Sequence, residues 1–198
     1  YDQHSGRFIA SSAGGGTSPN SWILIAVSST SNPLDNWVKV AIDADINNGT
    51  TQTSNGADYP TLGIDNANIY ISANMFNTSG FYQYSKVWVI PKSQLLSGQP
   101  GTLTWTEFIN PSGSDASMQP AHTFGTPGEQ YFIYEWSSGQ LRLARVTFPG
   151  GTPTWTDRGS IAVNAFTSTN SLPGIPQLES VNTIDPGDTR LMNAVYRN

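Results

Sequence analysis

Two short segments constrain this chain more than anything else in it. Gly101-Thr102-Leu103-Thr104-Trp105-Thr106-Glu107 returns at an offset of 50 as Gly151-Thr152-Pro153-Thr154-Trp155-Thr156-Asp157. A second set of marks is Pro60, Pro120 and Pro176, 60 and 56 residues apart. Each follows a polar loop and precedes two strand-like runs. Recurrence at about 40–60 residues, with about four strands per cycle, is the pattern of one sheet unit repeated around an axis. The sequence therefore predicts an all-β fold, a β-propeller of four-stranded blades. A sandwich or jelly roll also supplies many strands, but gives no reason for the tryptophan segment to recur at matching positions. The blades fall at 1–45, 58–110, 118–165 and 174–198. The last is incomplete, so about three and a half are present. The first has no leading proline, because the chain begins inside its innermost strand. Open blade edges invite pairing, so a homo-oligomer is expected.

The clearest unit runs from Asp58 to Asn74. It reads as a strand, a tight turn at Asp65-Asn66 and a second strand. Upstream, 7–10 reads as a strand and 11–20 as a glycine-rich loop. Residues 21–29 form an apolar run too short for a typical helix, hence a buried strand. A turn at 31–36 leads to 37–42, which alternates apolar and polar, and 43–58 is a long polar loop. Strands follow at 82–90 and 101–108, separated by 91–98, the one helix candidate, with proline at its start and glycine at its end. After a loop at 110–117, strands at 118–122, 130–136, 140–148 and 151–158 repeat the cycle, and a third opens at 174–178.

Composition excludes several classes. Only 12% of residues are charged and the net charge is -5, with no basic stripe, so nucleic acid is not an expected partner. No apolar run approaches the roughly 20 residues of a membrane helix. With no cysteine there is neither a disulfide framework nor a thiolate metal site. The three lysines and absent cysteines suit a secreted bacterial protein. Tyr1 in place of an initiator Met reads as a processed or excised piece.

Tyr1-Asp2-x-x-Ser5-Gly6-Arg7-Phe8, Ile25-Ala26-Val27-Ser28-x-Thr30-Ser31-Asn32-Pro33 and Asp58-Tyr59-Pro60-Thr61-Leu62-Gly63 together resemble a group of secreted bacterial propeller proteins of uncharacterised function. The resemblance spans almost the whole chain and implies fold and extracellular location more than activity. Thr30-Ser31-Asn32-Pro33-Leu34-Asp35-Asn36-Trp37 is similar to the Asp-box of sialidase-like propellers, Ser-x-Asp-x-Gly-x-Thr-Trp, but keeps only Trp37. That box is a structural turn and carries over no catalytic residue, and no arginine sits at a motif matching the sialidase triad.

Analogy with propeller architecture places ligands at one mouth of the central channel. It selects Asp58, Tyr59, Gln119, His122, Glu135, Trp136, Gln177 and Glu179. Asp58, Glu135 and Glu179 are the candidate catalytic carboxylates, since glycoside hydrolysis takes a pair about 5–9.5 Å apart. Asp58 also reads as an ordinary loop cap. Trp136 beside Glu135 offers a sugar-stacking platform or a packed strand end. His122 reads as a base, a ligand contact or a hydrogen-bonded structural histidine; two isolated histidines make no zinc site. Asp43, Asp45 and Asn47 resemble a calcium loop, but glycine falls one place late and the twelfth position, Ser54, is not acidic. Calcium is the only cofactor the sequence suggests. Trp37, Trp105 and Trp155 are read as packing residues at outer-strand starts. Two functional readings stand: a secreted binding or scaffold module, with a glycan or a cell-surface molecule as partner, and a propeller-fold glycoside hydrolase.

Overall fold

Ile23, Ile25 and Val27 are buried while Leu24 between them is exposed. That period of two makes a half-buried strand. The computed structural model describes residues 1–16, 20–98, 101–111, 113, 116–167, 174–184, 187 and 190–197. The loops expected at 11–20 and 110–117, and the incomplete unit 174–198, fall partly outside them.

The fold is all-β. The first sheet is an antiparallel meander of β1 (Ile9–Gly14), β2 (Trp22–Ser28) and β3 (Trp37–Asp43). A small hairpin follows, β4 (Ile46–Asn47) with β5 (Thr51–Gln52). The second meander contains β6 (Gly56–Ile64), β7 (Asn68–Phe76), β8 (Tyr82–Pro91) and β9 (Thr106–Ile109), with the short helix α1 (Ser93–Leu96) before its last strand. Next come β10 (Gln119–Pro120) and β11 (His122–Phe124). β10 begins the third meander, which continues through β12 (Glu129–Ser137), β13 (Gln140–Thr147) and β14 (Thr154–Ala162). β15 (Ile175–Pro176) pairs with β16 (Thr183–Ile184). The last strand, β17 (Val195–Arg197), lies parallel to β11, and β11 lies parallel to β6.

The three meanders stack in chain order, and the middle one is covered on both faces. Ile23, Ile25 and Val27 of the first sheet meet Ile69, Ile71, Trp88 and Ile90 of the second. Tyr70, Val87 and Val89 point the other way, onto Phe132, Tyr134, Ala144 and Val146 of the third. This is why 69–71 and 87–90 read as unbroken apolar runs. Trp105 packs on the first core and Trp155 on the second. Trp37 opens β3 opposite Ser28, and Trp155 lies opposite Val146 in β14. Trp105 immediately precedes β9. All three stand at the start of an outer strand, as expected.

Several expectations are revised. β1 runs on to Gly14, into the segment read as a loop. The strand expected at 101–108 starts only at Thr106, because the Gln94 amide takes the backbone of Thr104 on both sides: Thr104 N donates to Gln94 Oε1 and Gln94 Nε2 donates to Thr104 O, each at 2.8 Å. The strand expected at 118–122 divides at Ala121. Ala121 N donates to Tyr131 O in the third sheet, and Ile64 N of the second donates to Ala121 O. Pro176 is exposed in β15, paired to β16, so it does not occupy the position of Pro60 and Pro120. Nor does the chain enter through an innermost strand. Ile9 lies with Leu62 and Ile64, and Gly16 lies with Gly56 and Asp58, so β1 runs opposite to β6, as β7 does. β1, β2 and β3 thus match β7, β8 and β9, and among the described residues none pairs with the other edge of β1.

Gly63 marks a close approach of the second and third sheets. A Cβ there would sit 2.6 Å from Pro120 Cβ and 2.8 Å from Ala121 O, well inside van der Waals contact. Two buried lysines tie the loops to this frame. Lys92 Nζ reaches Asp2 Oδ2 at 2.6 Å and the Asp65 carbonyl at 2.7 Å, with both charged side chains almost wholly buried. Lys86 Nζ pairs with Glu107 Oε2 at 2.9 Å and donates to Ile46 O and Asn47 Oδ1.

Gly63→Ala is expected to destabilise the fold by about 1–3 kcal/mol in urea unfolding, since backbone and a proline ring must yield. Lys92→Met, which strands a buried carboxylate, is expected to cost about 3–5 kcal/mol, and adding Asp2→Asn should recover most of it. Burial acts to raise the pKa of Asp2, but its bonds from Lys92 and Ser5 outweigh that and hold the carboxyl below its ordinary 3.8. The unfolded chain therefore binds this proton first. The contribution of the pair should be complete above about pH 5 and lost as pH falls through the folded-state pKa, and Asp2→Asn should flatten that acid limb.

Candidate functional site

A cleft of about 440 Å³ opens where the ends of β6 and β11 meet the chain's first residues. Its walls are apolar, from Leu62, Ile64, Phe124 and Val195, and its polar groups include Gln3, His122 and Asn193. The sequence places these groups by strand parity and by one turn. His122 and Phe124 are alternate residues of β11, so they share a face, and their rings lie 5.0 Å apart. Gln3 is delivered by the loop that Asp2 closes: Asp2 N bonds Arg7 O, and His4 N bonds Asp2 Oδ1.

The polar groups form a chain. Gln3 Nε2 donates to the Thr123 carbonyl at 3.0 Å, which leaves Gln3 Oε1 to accept from His122 Nε2 at 2.9 Å. Nε2 therefore carries the proton, and Nδ1 is left as an acceptor. Burial, and then the positive amino terminus of Tyr1, hold His122 below its ordinary 6.5. The imidazole stays neutral near pH 7, a hydrogen-bonding group rather than a cation. The cleft offers an amide, a neutral imidazole and apolar walls, suited to a neutral polar ligand.

The other candidates are distributed. Asp58 is exposed in a second concavity, with Gly16, Phe76 and Gly80. Tyr59 has a φ of 53°, in the left-handed region, at the irregularity between Asp58 and Thr61 in the β6–β7 ladder. That conformation costs a bulky residue on the order of 1–2 kcal/mol. Its ring carries the Arg190 guanidinium at 4.1 Å, and its hydroxyl lies 3.0 Å from Met192 Sδ. Gln119 is buried and bonds the Pro120 carbonyl through its own amide, so it packs between sheets. Trp136 sits at the β12–β13 irregularity, with one ring face covered by Arg142 at 4.3 Å, and Arg142 in turn pairs with Asp157. Gln177 spans the β15–β16 hairpin to Asn182 O, and Glu179 is exposed on the same hairpin with a φ of 58°. Asp58, Glu135 and Glu179 thus belong to three different sheets.

The calcium-like loop is organised around a lysine. Asn47 Oδ1 and the carbonyls of Ala44 and Ile46 all face Lys86 Nζ. Asp45 is buried, accepting from the Gln52 amide. Burial and the neighbouring Asp45 push the Asp43 carboxyl up. Among the described residues no cluster of three or more His, Asp or Glu is placed to hold a metal ion. Among them also no helix is long and apolar enough to cross a membrane.

Of the expected residues, only His122 lines the cleft. Gln3 and Asn193 were not foreseen. The one signal for Gln3 was the likeness of the Asp2 turn to the Asp65 turn, where Ala67 N bonds Asp65 Oδ1 in the same way. Comparison with family models, curated proteins and solved structures returns no match.

The His122 ring should titrate by NMR with a midpoint below 6.5. Because the unfolded chain takes up this proton first, stability should fall as pH drops below about 6.5, and His122→Asn should remove that part of the slope.

Proposed function

We propose that the chain is a secreted β-propeller module that binds a neutral glycan in the cleft beside His122. The observation that carries this reading is the pairing, in one concavity, of apolar walls with a neutral imidazole and an amide. Pyranose rings present C–H faces to apolar surface and hydroxyls to such groups. The propeller part rests on three meanders stacked in chain order and on β6, β11 and β17 running parallel side by side. The hydrogen-bonded turn between β2 and β3 adds support for a sialidase-like outer turn. Thr30 and Asn32 both bond Asp35, and Trp37 Nε1 folds back to Pro33 O at 3.0 Å. The hydrolase reading needs two carboxylates about 5–9.5 Å apart. Among the described residues no carboxylate side chain lines the cleft, which favours binding over hydrolysis there.

Glycan-array binding followed by calorimetry on the strongest hit tests the reading. His122→Ala and Gln3→Ala are each expected to weaken binding about tenfold or more, by loss of one hydrogen bond to the sugar (about 1.4 kcal/mol). Trp136→Ala should leave it in place. No signal for any glycan, or a signal lost only in Trp136→Ala, would remove the cleft as the seat.

A further inference from the structure

The chain contains two Asn-Gly pairs, Asn48-Gly49 and Asn55-Gly56. In such a pair an asparagine side chain readily meets the next backbone nitrogen, because glycine sets no Cβ in the way. Both pairs lie in the same polar stretch, yet the fold treats them differently. Asn48 and Gly49 are the central residues of a tight turn, with φ of 52° and 69° and with Thr50 N donating to Asn47 O at 3.1 Å. That is the primed turn which Asn-Gly favours in hairpins. Both residues are exposed, and among the described residues neither the Asn48 side-chain amide nor Gly49 N has a hydrogen-bond partner.

Asn55-Gly56 is held in place. Asn55 is 9% exposed; its Nδ2 donates to the Tyr84 hydroxyl at 3.4 Å and its backbone N to Thr53 Oγ1 at 3.3 Å. Gly56 is buried and opens β6 opposite Phe76 of β7, and the next amide, Ala57 N, donates to Ser21 Oγ at 2.8 Å. Ring closure at Asn55 therefore requires the leading strand of the second sheet to lift away from its neighbour. At Asn48 only a turn has to open. The β4–β5 hairpin around it has two residues on each side and stands outside the three meanders. A two-stranded hairpin so short is marginal by itself and opens readily.

We propose that Asn48-Gly49 is a self-modification site, at which the folded chain deamidates while Asn55-Gly56 is protected. Gly49 N attacks Asn48 Cγ. The N–Cγ bond forms, the Cγ–Nδ2 bond breaks, and ammonia leaves with the Gly49 N proton. Water then opens the succinimide ring. Cleavage at Cγ leaves an aspartate; cleavage at the main-chain carbonyl leaves an isoaspartate, whose backbone is a methylene longer. Either product sets a carboxylate in the hollow that Asn48 shares with Thr104, Trp105 and Glu107. Glu107 accepts from Asn48 N and pairs with the buried Lys86, whose other bonds go to Ile46 O and Asn47 Oδ1 of the same hairpin. The new charge repels Glu107, and the longer backbone no longer fits the two-residue turn. Deamidation thus loosens the clasp between this hairpin and β8. The hollow shares no lining residue with the cleft beside His122, so the site stands whether or not that cleft binds a glycan.

The test incubates the full folded chain at mildly alkaline pH in heavy-oxygen water and follows both sites by peptide mapping and mass spectrometry. The heavy oxygen marks conversion in the intact chain and separates it from conversion during digestion. Asn48 is expected to convert about tenfold or more faster than Asn55 in the folded chain, because Asn55 reacts only from an opened sheet. In urea, where no fold distinguishes them, the two rates should converge. Asn48→Gln should stop conversion at that position with an unchanged circular dichroism spectrum. Asn48→Asp, which installs the product charge from the start, should unfold at a lower urea midpoint than wild type, and aged wild type should shift the same way. Equal rates at the two sites in the folded chain overturn the proposal. So does Asn55 converting faster, or neither site converting in the folded chain while both convert in urea. An Asn48→Asp variant and an aged sample that both unfold at the wild-type midpoint overturn the loosening of the clasp.

Discussion

The Lys92 ammonium is the contact on which the rest of the arrangement depends. It holds the carboxylate of Asp2 and the carbonyl of Asp65 at one point, and both groups sit in turns that launch second-position strands, β1 and β7. The first and second sheets are thereby fixed to each other at their ends as well as through their shared apolar face. The cost of removing two charges from water is large, and here it is offset only because every partner is in place. Such a joint adds specificity of alignment as much as stability. Slipping β1 by one residue would turn Ile9 and its alternates away from the core and would also pull Asp2 off the lysine.

The same joint sets up the cleft. With Asp2 immobilised, Gln3 is carried to Thr123 and His122, so a residue near the start of the chain completes a polar group on β11. The cleft chemistry is therefore a consequence of inter-sheet alignment. Its neutral imidazole follows first from burial by the strands that meet there and then from the positive amino group of Tyr1 beside it.

Much of this was legible in the sequence. Alternation in 37–42 gave a strand with the right faces, the apolar run 21–29 gave a strand although its Leu24 face is exposed, the Asp65-Asn66 turn formed where aspartate can cap its own backbone, and the two tryptophan segments fell at edge strands of their sheets. What escaped has a common cause: it depends on side chains meeting across large sequence separations. The Gln94 amide takes the backbone of Thr104, ten residues on, so the strand expected from 101 begins only at Thr106. Gly63 reads locally as one more residue of the strand before the Asp65-Asn66 turn, yet its reason is Pro120 on another sheet. The Asp43–Asn47 loop has the composition of a cation site, and a lysine from β8 supplies the cation. Which of the exposed carboxylates and aromatics share a pocket is likewise a matter of sheet order, which the periodicity of a single strand does not encode.

With Lys86 and Lys92 both sealed inside the fold, the third lysine is left with a distinctive chemical standing. A mild amine-acylating reagent acting on the native protein therefore meets one accessible lysine, Lys39 on the open face of the first sheet, so a spectroscopic label can be installed there without any engineered cysteine.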